Sequence, residues 1–197
     1  MSDEEHIHGE ILEEDQSGSE DEQVERAARR LVALSRLRQY GDPVLRMKAR
    51  EVETYDEDLE RLVERMTRLM HEAQGVGLAA TQVGVLRRVF VFVDEDEDRV
   101  LVNSAITKRS KAATVDDEGC LSLQGVLVPV ERAVEVTVEG VDVRGEPLRF
   151  ELEEPTARVV QHELDHLDGV LIIDRTDEES RRAALAKLRP QPVLGAR

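Results

Sequence analysis

Two histidines four residues apart, with a glutamate directly after the first, make His162-Glu163-x-x-His166 the densest chemical signal in this 197-residue chain. An α-helix turns once every 3.6 residues, so positions i and i+4 stack on one face, where two imidazoles can grip one metal ion. Glu163 then stands beside that ion. A carboxylate next to a metal-activated water is the arrangement of metal-assisted hydrolysis. Paired histidines also occur as ordinary core residues, so a third ligand decides between the two readings. After His166 the chain holds no His or Cys, only the acids Asp168, Asp174, Asp177, Glu178 and Glu179. Upstream, the single cysteine stands in Glu118-Gly-Cys-Leu-Ser122, where Gly119 lets backbone pass close to whatever Cys120 touches. A lone cysteine is as readily a small buried hydrophobe.

The helix that carries the histidine pair is marked by Pro155 in its first turn, by Val159, Val160, Leu164 and Leu167 at helical spacing, and by Gly169 as a left-handed cap. Before it, Val134, Val136 and Val138 alternate with Glu135, Thr137 and Glu139. Leu148, Phe150 and Leu152 alternate likewise after a turn at Arg144-Gly-Glu-Pro147, which predicts an antiparallel pair leading into the helix. Val89 to Val93 reads as a buried strand, Asp94 to Asp98 as an acidic turn and Val100 to Val102 as the returning strand. Leu59, Leu62, Val63, Met66, Leu69, Met70 and Ala73 mark a long amphipathic helix that starts at Asp56, Glu57 and Asp58 and ends at Gly75. Gly75-Val-Gly-Leu-Ala-Ala-Thr-Gln82 follows, a glycine-rich turn without the lysine of a phosphate-binding loop. Val24, Ala27, Ala28, Leu31 and Val32 predict a short N-terminal helix. Thr176 and Glu179 form a capping box for a last helix through Leu188, stopped by Pro190. Strands and helices are segregated, which predicts an α+β fold: an antiparallel β-sheet packed around a central metal-binding helix, with an N-terminal helix and a short C-terminal helix.

Composition frames these elements. A hydrophobic content of 40% fits a soluble globular chain, and the net charge is −16. Residues 1–25 hold eleven acids and no Lys or Arg, so the remainder is only mildly acidic, with 32 acids against 27 bases. This extension reads as a solvated, disordered tail; the folded domain is expected over residues 36–189. No apolar run is long enough to span a membrane, and the start lacks the pattern of a secretory signal. One cysteine permits no internal disulfide, and the acidic balance argues against DNA binding. A soluble protein of the cytoplasm is expected.

Three segments together, GVGLAATQ at 75–82, EGCLS at 118–122 and QHELDHLDG at 161–169, resemble the signature motifs of peptide deformylases in order and spacing. Tyr40-Gly-Asp-Pro-Val-Leu-Arg46 resembles that family's opening segment, and the similarity runs to about residue 175. The resemblance implies a bacterial cytoplasmic enzyme that removes the N-formyl group from the initiator formyl-methionine of newly synthesised polypeptides. It implies one metal ion per chain, Fe²⁺ by family habit, with Zn²⁺, Ni²⁺ or Co²⁺ also compatible with such donors. Cys120, His162 and His166 become the ligands, Glu163 the proton carrier, and the Gln82 amide and Leu121 N–H the donors to the developing oxyanion. Val76, Gly77 and Gly119 pair with the peptide backbone, while Val76, Leu121, Val159 and His162 build the methionine pocket. An iron site with an accessible cysteine ligand is expected to inactivate in air.

The chain departs from the family pattern where Leu123-Gln124-Gly125 follows Ser122 in place of a proline, and where Val126-Leu-Val128 lacks a basic residue. A metalloprotease with the same His-Glu-x-x-His core is the competing enzyme, against which Cys120 and Gln82 speak. A peptide-binding protein without turnover is the competing non-enzyme. Arg181, Arg182, Lys187, Arg189 and Arg197 reverse the local charge. Cations near a helix C-terminus explain them simply, and the resemblance adds ribosome docking as a second role.

Overall fold

A computed structural model describes residues 19–189, together with the backbone at 7–8 and 11–12. In chain order, β1 (Ile7–His8) and β2 (Ile11–Leu12) form a minimal antiparallel pair, followed by α1 (Glu20–Ser35) and α2 (Glu57–Glu72). Then come β3 (Gly77–Ala79), β4 (Val89–Asp94), β5 (Glu97–Arg109), β6 (Ala113–Glu118), β7 (Val128–Ala133), β8 (Glu135–Val141) and β9 (Pro147–Glu153). The helices α3 (Thr156–Leu167) and α4 (Glu178–Leu188) complete the described fold. Five strands form one antiparallel sheet in the order β3-β4-β5-β8-β9, and β6-β7 is a separate hairpin. Strand β1 lies next to β6.

Side-chain alternation in β4 shows why α3 is central. Val89 and Val91 point to one face, where they meet Leu59, Met66 and Met70 of α2. Phe90 and Phe92 point to the other, where they pack with Val160 and Leu164 of α3. A strand buried on both faces reads as a continuous apolar run, which Val89 to Val93 is. Every residue of α3 from Ala157 to Leu167 is buried. The predicted α+β arrangement, with a sheet wrapped on a central helix, is the one present.

Several local expectations are corrected. The acidic turn is two residues, Glu95 and Asp96, both at positive φ, and β5 runs far beyond Val102 to Arg109. The left-handed residue that ends α2 is Gln74 (φ 58), not Gly75. Asp177, not Thr176, caps α4, accepting from the N–H groups of Glu179 and Ser180 at 2.9 Å. The capping box is at α1 instead, between Ser19 and Glu22, so the helix reaches into residues 20–25 of the expected tail. Most of residues 1–18 and the segment from Pro190 to Arg197, with the expected helix stop at Pro190 and the basic Arg197, lie outside the described residues.

Candidate metal centre

Helix α3 delivers the histidines as its spacing predicts. Gly169 ends the segment at φ 75, and a Cβ there would lie 2.7 Å from the Arg46 carbonyl oxygen, so glycine is required for both conformation and closeness. The third donor arrives from the β6–β7 hairpin. Cys120 follows β6 in a tight turn, where its carbonyl accepts from Leu123 N–H at 2.9 Å. Its Sγ lies 3.2 Å from His166 Nε2, which lies 3.2 Å from His162 Nε2. All three donor atoms fall within 4.8 Å of one another and all three residues are buried. Ligands held tetrahedrally at 2.0–2.3 Å from an ion stand about 3.3–3.6 Å apart. The observed spacing therefore fits a bound cation, and the thiol and imidazole donors suit a borderline-soft divalent metal. Cys120 is fully enclosed, against the expectation of an accessible thiol.

A buried ion network behind the cluster orients it. Glu118 accepts from His162 Nδ1 at 3.0 Å, from Arg132 Nε at 2.9 Å and from Arg158 at 3.0 Å. Burial alone would raise the Glu118 pKa, but the hydrogen bonds and charges of Arg132 and His162 outweigh it and hold the carboxyl well below its usual range. An ionised carboxylate can only accept, so His162 Nδ1 carries the proton and Nε2 presents its lone pair to the cluster. Asp165, its pKa also lowered against the effect of burial by Arg175 and Arg132, closes the network.

The 75–82 segment approaches from the opposite side. Gly77 to Ala79 forms the edge strand β3, and Ala80–Val83 turns as a 3-10 helix. Gln82 Oε1 accepts from Ala79 N–H at 2.8 Å, which fixes the amide so that Nε2 faces Cys120 Sγ at 3.8 Å and Ser122 Oγ at 3.3 Å. Gly77 lies against α3: a Cβ there would overlap Glu163 Oε1 and stand 2.9 Å from both Glu163 Cδ and Val159 Cγ1. Gly77→Ala must therefore displace the Glu163 carboxylate. Turnover is expected to fall by up to about 10²-fold, the scale of an ångström-sized misplacement; normal turnover with an unchanged fold by circular dichroism would contradict this contact. Val76 and Val159 are buried in one cluster, Leu121 is buried beside Cys120, and Gly119 links Glu118 to Cys120.

All ten site residues expected from sequence thus gather where β3, α3 and the end of β6 meet. The expectation overlooked Arg132 and Arg158, and both left a signal. Arg158 is one turn before His162 on the same helical face, and Arg132 continues the buried row of Val128 and Val130. A cation in an apolar row needs a buried partner, which is Glu118.

Comparison with known proteins bears on the same residues. The family model described as polypeptide deformylase matches residues 34–182. The peptide deformylase of Clostridium botulinum (strain Alaska E43 / Type E3) is 46% identical over 148 residues, covering 75% of this chain and all of that protein. A peptide deformylase structure from Legionella pneumophila superposes with a TM-score of 0.74 at 39% identity, covering 77% of this chain and 91% of that one. That from Thermotoga maritima gives 0.70 at 44% identity, covering 72% and 97%. With most of its length matched and the donor cluster assembled from two of its three motifs, the chain belongs to the polypeptide deformylase family.

Proposed function

We propose that the centre formed by Cys120, His162 and His166 hydrolyses the formamide of N-formyl-methionyl peptides, the family's reaction on nascent polypeptides. The observation that carries this is the convergence of three donor atoms within 4.8 Å. Fe²⁺ is the proposed ion. Supporting it is the one-sulfur, two-nitrogen donor set, which Zn²⁺, Ni²⁺ and Co²⁺ can also satisfy. When bound, such a cation supplies Lewis acidity to the formyl oxygen and lowers the pKa of a water. Glu163, fully buried next to His162, takes the proton of the attacking water and returns it to the departing nitrogen. The oxygen of the formyl group gains negative charge as water adds, and the Gln82 Nε2 and Leu121 N–H donors meet that charge. Val76 and Val159 supply apolar surface for methionine, and the backbone at Val76, Gly77 and Gly119 pairs with the peptide. Formate release from formyl-Met-Ala-Ser by anaerobically iron-loaded protein, with metal content measured on the same sample, tests this reading. No formate from a fully loaded sample would overturn it.

Residues 36–189 are proposed as the catalytic domain and residues 1–25 as an extension to it. A chain beginning at Ser19, which keeps the α1 cap, is expected to melt within a few degrees of the full chain. A large fall in the melting temperature would show that the extension is part of the folded unit. The cytoplasm is the proposed compartment and the ribosome the proposed second partner, through Lys187 and Arg189 near the end of α4. Charge reversal at these two positions should weaken salt-sensitive ribosome cosedimentation, and equal cosedimentation across a salt series would end that proposal. Among the described residues no helix is long and apolar enough to cross a membrane.

A further inference from the structure

Helix α1 is apolar on two sides. One side belongs to the core: Ala33 and Leu34 are buried in one cluster with Met66 and Met70 of α2, and Arg30 Nε donates to the Ala73 carbonyl at 3.3 Å. At about 100° per residue, the opposite side collects Val24, Ala28, Leu31, Val32 and Ser35. Val24 is 69% exposed, Leu31 68% and Val32 52%. A lone apolar residue in solvent is ordinary, whereas a contiguous apolar face on one helix marks a surface that another protein covers.

The charges on α1 point to what covers it. Its first turn holds Glu20, Asp21 and Glu22, and its far end is capped by Arg36. Asp21 and Arg36 are exposed, flank the apolar stripe on the same side, and have no ion-pair partner among the described residues. Laid antiparallel on itself about a two-fold axis at Ala28, the helix sets Val24 against Val32 of the second copy and Asp21 beside Arg36 of the second copy. Each contact then occurs twice. A parallel pairing would instead set acid against acid and bring together the two segments that precede the helix, residues 1–18, each with seven acids and no Lys or Arg. Antiparallel packing holds the two acidic ends about 24 Å apart, the length of a 16-residue helix, well beyond a Debye length of about 8 Å.

We propose that the outward face of α1 is a self-association surface, on which a second copy of this chain docks antiparallel across a two-fold axis at Ala28. The small side chain of Ala28 lets the two helices approach at the axis. Val24, Leu31 and Val32 supply the affinity, and the charged ends set the direction. The contact is one helix wide, so association falls at the weak end for specific interfaces, with a Kd of about 10–100 µM.

The test is sedimentation equilibrium of the metal-loaded full chain across about 1 to 500 µM, where monomer should give way to dimer. Leu31→Glu, at an exposed position, should keep its melting temperature at the dilute end and raise the Kd at least about tenfold, since it sets a charge in the apolar centre. Asp21→Arg and Arg36→Glu should each weaken association by about fivefold, and the two combined should restore it. Orientation is read by oxidative cross-linking. Ala28→Cys lies on the axis and should yield a linked dimer, whereas the two copies of Ser35→Cys, about 21 Å apart along the helices, exceed the roughly 7 Å reach of a disulfide and should not. A chain that stays monomeric throughout, a dimer unaffected by Leu31→Glu, or cross-linking through Ser35→Cys as readily as through Ala28→Cys would overturn the inference. Loss of ribosome cosedimentation in Leu31→Glu, with the parent chain monomeric throughout, would overturn it as well and assign the face to a ribosomal partner.

Discussion

Glu163→Gln should bind metal as the parent chain does and lose about 10²–10⁴-fold in turnover, the usual contribution of a general acid–base group. The substitution preserves shape. Glu163 is fully buried and packs closely on Gly77, and a side-chain amide fills that space without the overlap a Cβ on Gly77 would cause. None of the three donor atoms of the cluster is touched, so metal content measured by atomic absorption should be unchanged. What is lost is the group that carries a proton between water and the departing nitrogen. Near-normal turnover in a metal-replete Glu163→Gln sample would remove Glu163 from the chemistry.

Gln82→Ala should lower kcat by about 10²–10³-fold, the cost of removing one donor from a developing oxyanion, with a smaller change in KM. Two effects are superimposed in this variant. The Oε1 anchor on Ala79 N–H disappears as well, leaving a buried donor unsatisfied at a stability cost of about 1–3 kcal/mol. Gln82→Glu separates them, because one carboxylate oxygen can still accept from Ala79 while the other cannot donate toward the site. Loss of kcat in both variants, with stability lost mainly in the alanine variant, is the expected pattern. A kcat within a few-fold of the parent in both would exclude Gln82 from charge stabilisation.

Much of this site was legible because it obeys short-range rules. Helical spacing stacks His162 and His166, and Gly77 and Gly169 mark places where backbone or side chain comes too close for a Cβ. Alternation found β8 and β9 through Val136 and Val138 and through Leu148, Phe150 and Leu152, the apolar rows of the two strands, although Thr137 between the valines is buried as well. It could not find β6, because Ala113 to Asp117 are exposed on both faces of an edge hairpin and leave no period to read. The length of β5 was hidden similarly: beyond Val102 the strand crosses two register shifts and ends in Thr107, Lys108 and Arg109, whose polarity suggests a loop. The tertiary network was less accessible still. Glu118 was visible as a motif residue, but its tie to His162, Arg132 and Arg158 joins three elements across 14 to 44 residues of sequence. Cys120 needed the same long-range information, since spacing alone did not distinguish a ligand from a core thiol.

The most direct test follows both products of one peptide. Formyl-Met-Ala-Ser is incubated with anaerobically metal-loaded protein, and formate and free N-terminal amine are quantified together, beside a sample stripped by chelator and then reloaded. The account predicts equal amounts of formate and Met-Ala-Ser, no cleavage of the Met–Ala bond, loss of both products on stripping and their return on reloading. Cleavage of the Met–Ala bond without formate, or formate release undiminished after verified metal removal, would contradict it.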